Sequence, residues 1–188
     1  ALRWIALAAV LFSGIQRILL SFTVVYLVAE GGYGLVEAGI MLSVAQIGGS
    51  VSRIPWGWLA DRLRSGLAVL FLICGIMIAA SILLVLLDAS WPKPLVYLLF
   101  FVLGASCVGW NGIVHAECAR LSPPGTISLA AGGMSFFVFG GVMFGPPVFA
   151  VVYGMAGSYS STFGLMVAAG VAALGLLLLA YRQQGSER

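Results

Sequence analysis

Charge is what this chain has least of. Nine Lys and Arg with six Asp and Glu make up 8 % of its 188 residues, whereas a soluble domain carries about 25 %. Beside 62 % hydrophobic residues, that deficit excludes an ordinary soluble fold and points to a polytopic membrane protein. The basic residues are scattered over several turns and form no stripe, so they speak for topology and not for a nucleic-acid partner. Histidine occurs once, at His115, and Cys74, Cys107 and Cys118 stand in or beside apolar runs without metal-ligand spacing. Buried free thiols are expected, with no metal and no other cofactor. Phosphate-cradling glycine loops and paired Asn-Pro-Ala motifs are missing. An intramembrane hydrolase would need a nucleophile motif, and Gly104-Ala105-Ser106-Cys107 lacks the glycine after its serine. No catalytic residue is therefore assigned, and the chain is not read as an enzyme.

What is present is length in apolar runs. A bilayer crossing takes about 20 apolar residues, and the sequence holds six such runs: about 4–29, 35–60, 67–87, 95–114, 127–153 and 162–181. The whole chain, 1–188, then reads as one six-helix, all-α transmembrane domain. The connectors are turns, none long enough for a folded soluble domain. The first run is too long for a signal-peptide core and no small-residue cleavage site follows it. The chain opens on Ala1 and not on Met, which reads as a fragment or a processed product. With a cytoplasmic amino terminus, Arg3, Arg62, Arg64, Arg120, Arg182 and Arg188 lie inside and Lys93 outside. The positive-inside rule then places both termini in the cytoplasm. Trp4, Trp56, Trp58, Trp91 and Tyr181 stand near span ends, as interfacial aromatics do.

Polar residues select faces. In the second span Gly39, Ser43, Gln46, Ser50, Arg53 and Gly57 recur at steps of three or four and share one stripe. Ser13, Gln16 and Arg17 share a face of the first span, and Gly104, Cys107, Asn111, His115 and Cys118 a face of the fourth. The small residues fit either close helix packing or a wet wall. For Gln16, Arg17, Gln46 and Asn111 a water-filled cavity is the expectation, because polar groups facing lipid at that depth are costly. The third and sixth spans are almost wholly apolar and are expected to stand outside, while spans one, two, four and five line the cavity. The chain thus divides into two groups of three with the same order of roles.

The stretch from Gly48 to Gly66, GGSVSRIPWGWLADRLRSG, closes an apolar span in a burst of charge and opens the next span at once. This hairpin and the order of roles resemble the major facilitator superfamily of secondary transporters, whose six-helix halves are built from three-helix inverted repeats. The family signature between its second and third helices reads G-x-L-A-D-R-x-G-R-R. Gly57, Leu59, Ala60, Asp61 and Arg62 match, while Arg64, Ser65 and Gly66 replace its glycine and two basic residues. Such a degraded copy is typical of the second half, and the fourth span lacks the mid-helix Arg motif of a first half. Trp110-Asn111-Gly112, Pro123-Pro124-Gly125 and Gly145-Pro146-Pro147 are similar to stretches of uncharacterised bacterial members. The resemblance implies the carboxy-terminal six-helix half of a twelve-helix transporter in a bacterial inner membrane. Its partners would be membrane lipid, a small-molecule substrate, and either the amino-terminal six-helix half or a second copy of the chain.

Gln16, Arg17, Gln46, Trp110 and Asn111 are assigned to the substrate cavity, with Arg17 attracting an organic anion. The other reading of Arg17 is an ion pair with an acid outside this chain, or hydrogen bonds to carbonyls. Arg53, Asp61, Arg62, Glu117 and Arg120 cluster at the cytoplasmic end, where the resemblance implies a gating charge network. Topology anchoring is the plainer alternative. Gly141, Gly145, Pro146 and Pro147 mark a helix kink, because two prolines remove two backbone donors. The competing classes are a self-associating six-helix protein or channel without transport coupling and an intramembrane enzyme.

Overall fold

The computed structural model describes residues 1–88 and 90–186, without the side chain of Ser186. Arg188, counted above among the inner basic residues, lies outside the described residues. Eight helical segments follow in order: α1 Leu2–Ala29, α2 Leu35–Val51, α3 Arg53–Leu63, α4 Gly66–Val85, α5 Lys93–Cys107, α6 Asn111–Leu121, α7 Ile127–Ala156 and α8 Tyr159–Ser186. They make six membrane-length spans, because α2 with α3 form the second, Leu35–Leu63, and α5 with α6 the fourth, Lys93–Leu121. The fourth span, expected to stop near Val114, continues to Leu121 and carries Glu117 and Arg120 on helix.

The two interruptions have chemical causes. Pro55 has no N–H to give the carbonyl of Val51, and α2 ends at that residue. In the fourth span the Gly109 N–H makes no backbone bond, which frees the carbonyl of Ala105. Ser52 Oγ and Trp56 Nε1 both donate to that oxygen, at 3.2 and 2.9 Å. Trp110 Nε1 donates to the carbonyl of Cys107 and Asn111 Nδ2 to that of Val108, at 2.9 and 3.2 Å. The carbonyls of Ala105, Cys107 and Val108 at the break thus find side-chain donors, which is how irregular backbone is tolerated at membrane depth.

Packing follows a two-fold rule. The first span packs on the fifth and sixth, the fourth on the second and third, and the third on the sixth. Exchanging the first three spans for the last three reproduces the same set of neighbours, so the three-span groups are structural repeats. Each repeat supplies one glycine seam. A Cβ on Gly104 of α5 would overlap the Ala45 carbonyl of α2, and one on Gly141 of α7 would overlap the Val10 carbonyl of α1. A Cβ on Gly145 would reach 2.9 Å from Gly14. Backbone approaching backbone through small residues is how membrane helices gain dispersion contact without a hydrophobic driving force.

The core lies along α1, α4 and α5. Phe12, Tyr26, Phe100 and Trp110 are fully enclosed there, joined by Phe149 of α7 and Phe163 of α8. At one end of the bundle Phe22, Phe149, Phe163 and Tyr26 form a chain of ring contacts with centroids 4.3, 5.1 and 5.2 Å apart. α4 and α8 pack against each other, with the Cys74 thiol donating to the Gly170 carbonyl, and both keep exposed apolar faces. The span expected to be wet and found apolar is the fifth: Leu129, Phe136, Phe139, Met143 and Met155 of α7 are all exposed. Only 11 % of its most apolar window is buried within this chain. Gly141 and Gly145 face inward onto α1, and large apolar side chains occupy much of the outward face.

Candidate functional site

The polar stripe of α2 and α3 emerges as the sequence pattern predicts. Ser43, Gln46, Ser50 and Arg53 are exposed, with Gly39 and Gly57 half-buried beside them, while Ala45, Gly48 and Gly49 on the opposite face are buried against α5. The hydroxyls of Ser43 and Ser50 donate to the backbone carbonyls of Gly39 and Gln46 one turn earlier, at 2.9 and 3.0 Å.

Arg17 is exposed on α1, on a stripe with Leu7, Ser21 and Val25, about midway along the first span. It has no carboxylate within ion-pair distance among the described residues. Its neighbour Gln16 turns the other way and accepts a hydrogen bond of 3.1 Å from Asn111 Nδ2. The amide pair ties α1 to the first turn of α6, beside the break in the fourth span. A guanidinium offers five fixed donors and matches a carboxylate in two-point contact. Arg17 is thus an exposed guanidinium beside the Gln16–Asn111 amide pair.

Three expectations about this region are corrected. Trp110 does not line an open cavity: its side chain is wholly enclosed, its ring centroid 5.5 Å from that of Phe12. Its indole N–H is committed to the Cys107 carbonyl, so the break in the helix turned the residue inward. Gly104, Cys107 and Cys118 are likewise buried, and of the stripe proposed for the fourth span only Asn111 and His115 reach the surface. Small residues at helical spacing here serve the close approach of α2 and not a wet wall. Trp56, expected as an interfacial aromatic, instead turns its N–H inward to Ala105.

The charged end of the bundle is only partly assembled. Glu117 is 2 % exposed and takes a two-point contact from Arg120, with Arg120 Nε at 2.9 Å from Oε2 and Nη2 against Oε1. Its Oε2 lies 2.7 Å from where a Cβ on Gly66 would stand, so the carboxylate abuts the first turn of α4. Asp61, Arg62 and Arg53 are exposed and form no ion pair among the described residues. Arg62 sits over the Trp58 ring at 5.9 Å. Pro146 and Pro147, where a kink is expected, lie inside α7, which stays helical through both. Gly141 and Gly145 there make the seam with α1. The actual breaks lie in spans two and four.

One carboxylate escaped the sequence reading. Glu30, one residue past α1, accepts from the backbone N–H groups of Tyr159 and Ser160, at 2.6 and 2.9 Å, and from the hydroxyls of Ser158 and Ser160. It caps the start of α8 from the end of α1. Burial works against its charged form, but the hydrogen bonds from Ser160, Tyr159 and Ser158 outweigh it and hold the carboxyl below the usual glutamate range. The signal was available as a glutamate at the end of one span and a serine run, Ser158 to Ser161, at the start of another. Nothing in the sequence said they meet. At the same end Lys93 of α5 pairs with Glu37 of α2 at 2.7 Å.

Comparison with known proteins agrees with this architecture. The fucose:proton symporter of E. coli superposes with a TM-score of 0.78 at 17 % identity, over 95 % of this chain and 42 % of the symporter. The benzoate transport protein of Acinetobacter baylyi is 30 % identical over 106 residues, which is 56 % of this chain and 22 % of that protein. The chain therefore spans less than half the length of these relatives. The sequence profile of the Major Facilitator Superfamily matches residues 1–136. With six spans, paired three-span repeats and a match over most of its length, the chain belongs to the Major Facilitator Superfamily.

Proposed function

We propose that this chain is one six-helix half of a secondary transporter that moves a small organic anion across a bacterial inner membrane by alternating access. The observation that carries the reading is Arg17. A guanidinium near mid-span, open to the surface and without a carboxylate among the described residues, is costly in lipid, at least ~2.5–3.5 kcal/mol on insertion scales. Facing a wet cavity and meeting an anionic substrate removes that cost. Gln46 adds a neutral amide on the same open side, and the Gln16–Asn111 bond positions the backbone behind it. The relative whose name specifies benzoate, a carboxylate, supports the same class of substrate.

A half needs a counterpart. The exposed apolar face of α7 and the polar stripe of α2 supply two different surfaces, one to pack and one to wet. The amino-terminal six-helix half, or a second copy of the chain, is the partner that would close the cavity between them. Both termini then lie in the cytoplasm, and Arg53, Asp61 and Arg62 remain available to charges on that partner as the halves rock.

The test is equilibrium binding of benzoate and related carboxylates to the full-length protein, as wild type, Arg17→Lys and Arg17→Gln. A charge-assisted hydrogen bond contributes ~1.5–3 kcal/mol, so Arg17→Gln is expected to weaken anion binding by about ten- to a hundredfold, with Arg17→Lys intermediate. Unchanged affinity in Arg17→Gln would sink the assignment.

A further inference from the structure

A second cationic site lies away from the cavity, where α4 begins and α8 ends. Arg64, Ser65, Leu67, Tyr181, Arg182 and Gln184 line a cavity of about 370 Å³ there. Two guanidinium groups face one space, and neither has a carboxylate partner or a side-chain hydrogen bond among the described residues. Arg64 is held in place by its backbone: its φ of 52° closes α3, and its N–H is committed to the Asp61 carbonyl. The amide nitrogen of Gln184 is buried in the same region without an acceptor. Three donor groups thus converge with no acceptor to satisfy them, and like charges sharing a wall call for an anion between them.

The cavity opens into an apolar extension. A cleft of about 260 Å³ shares Ser65 and Tyr181 with it and runs on along Ala68, Phe71 and Leu178. Phe71 and Tyr181 pair edge to face at 6.4 Å and form one flank. A cationic head continuous with a narrow apolar cleft, at the level of an interfacial tyrosine, has the polarity profile of one phospholipid.

We propose that Arg64, Arg182 and Gln184 bind the phosphodiester of an anionic phospholipid, with an acyl chain laid in the Ala68–Phe71–Leu178 cleft. The phosphate chemistry is shared with soluble phosphates, and the apolar cleft is what assigns the site to a lipid. Basic pockets between membrane helices recognise anionic headgroups in this way. The site uses residues of α3, α4 and α8 and is independent of the substrate reading, since none of them borders Arg17.

Native mass spectrometry of the full-length protein, titrated with phosphatidylglycerol or phosphatidylcholine, tests it. Wild type is expected to retain phosphatidylglycerol in preference, and Arg64→Gln with Arg182→Gln to lower that affinity on the order of tenfold or more while leaving phosphatidylcholine unchanged. Should the double substitution fail to fold, Arg182→Gln alone, at the exposed end of α8, keeps the charge test. Ala68→Phe, which fills the cleft, is expected to weaken long-chain phosphatidylglycerol and leave glycerol 3-phosphate unaffected. Equal retention of the two lipids, or phosphatidylglycerol binding that ignores the arginines, overturns the proposal. So does glycerol 3-phosphate competing as well as the lipid, for then the cleft contributes nothing.

Discussion

Glu30 and Glu117 occupy corresponding places in the two repeats. Each stands near the end of its repeat's first span and turns its carboxylate to the first turn of the last span in the other repeat. Glu30 reaches the N–H groups of Tyr159 and Ser160 at the start of α8, and Glu117 abuts Gly66 at the start of α4. Exchanging the repeats carries one arrangement into the other and moves it to the opposite end of the bundle. The start of a helix carries partial positive charge and unpaired N–H groups, so a carboxylate there is stabilised by both. A carboxylate thus stands at a helix start at each end of the bundle: Glu30 caps α8 through N–H bonds, whereas Glu117 is held beside the start of α4 by Arg120.

The two carboxylates differ in exposure, and pH separates them. Glu30 is at the surface and its folded pKa is depressed, so its contribution is present above the ordinary glutamate pKa and is lost as pH falls through the folded value. Glu30→Gln keeps the size and one acceptor oxygen but removes the charge. It is expected to cost about 1 kcal/mol at neutral pH, the scale of a lost helix cap, and to flatten the stability profile below about pH 4. Thermal unfolding of the full-length protein in detergent across that range reads both effects. A variant whose acid profile matches wild type would show that Glu30 does not carry them.

At the other end, removing one partner exposes the cost of the other. Glu117 is nearly inaccessible, while Arg120 is 46 % exposed at its side chain. Arg120→Ala strands a buried carboxylate, a change that costs roughly 3–5 kcal/mol for a fully buried pair. The exposure of Arg120 reduces this to about 1–3 kcal/mol through solvent screening. Adding Glu117→Gln to Arg120→Ala is expected to recover stability, and a double-mutant cycle on melting temperatures measures the coupling. Additive losses would mean that the two residues act separately.

The glycine seams admit a sharper contrast. Gly104→Ala and Gly141→Ala each place a methyl group into the facing backbone, whereas Gly175→Ala on α8 meets nothing within 4 Å. The first two are expected to destabilise by about 1–3 kcal/mol, the usual range for overpacking, and Gly175→Ala to leave stability unchanged or raised. Folded yield by fluorescence-detected size exclusion ranks the three. Comparable yields from all of them would remove the seams as determinants of the fold.

How much of this was legible in the sequence depends on the range of the interaction. The six spans and the stripe of Ser43, Gln46, Ser50 and Arg53 follow from local hydropathy and helical period, and the structure reproduces them. Gln16 and Asn111 were both marked as polar at depth, though not as partners, because 95 residues separate them. Trp110 misled because an aromatic beside Asn111 reads as a cavity wall. Its inward turn depends on the unpaired Cys107 carbonyl at a helix break that periodicity alone does not reveal. Glycine stripes are ambiguous in the same way, since Gly104 looks alike whether it faces water or the Ala45 backbone. Pro146 and Pro147 mark a kink position by a local rule and lie inside a continuous α7, whereas Pro55 stands where α2 gives way to α3.

Whether the exposed stripe meets water, as transport requires, is decided by thiol chemistry. The three cysteines of this chain are buried and are expected to stay unlabelled, and labelling is read against the parent protein without the added cysteine. Maleimides react with the thiolate, and a thiolate forms readily only where water reaches the sulfur. Ser43→Cys, Gln46→Cys and Ser50→Cys in the full-length protein are expected to label with a membrane-impermeant maleimide at least about tenfold faster than Ala45→Cys, which faces α5. A saturating carboxylate should slow Gln46→Cys most, because among these three positions Gln46 is the one assigned to the substrate cavity. Stripe positions as inert as Ala45→Cys would mean that the face is sealed by lipid or by packing. The polar residues of α2 would then be helix-contact residues, and an anion path past Arg17 would have to run elsewhere.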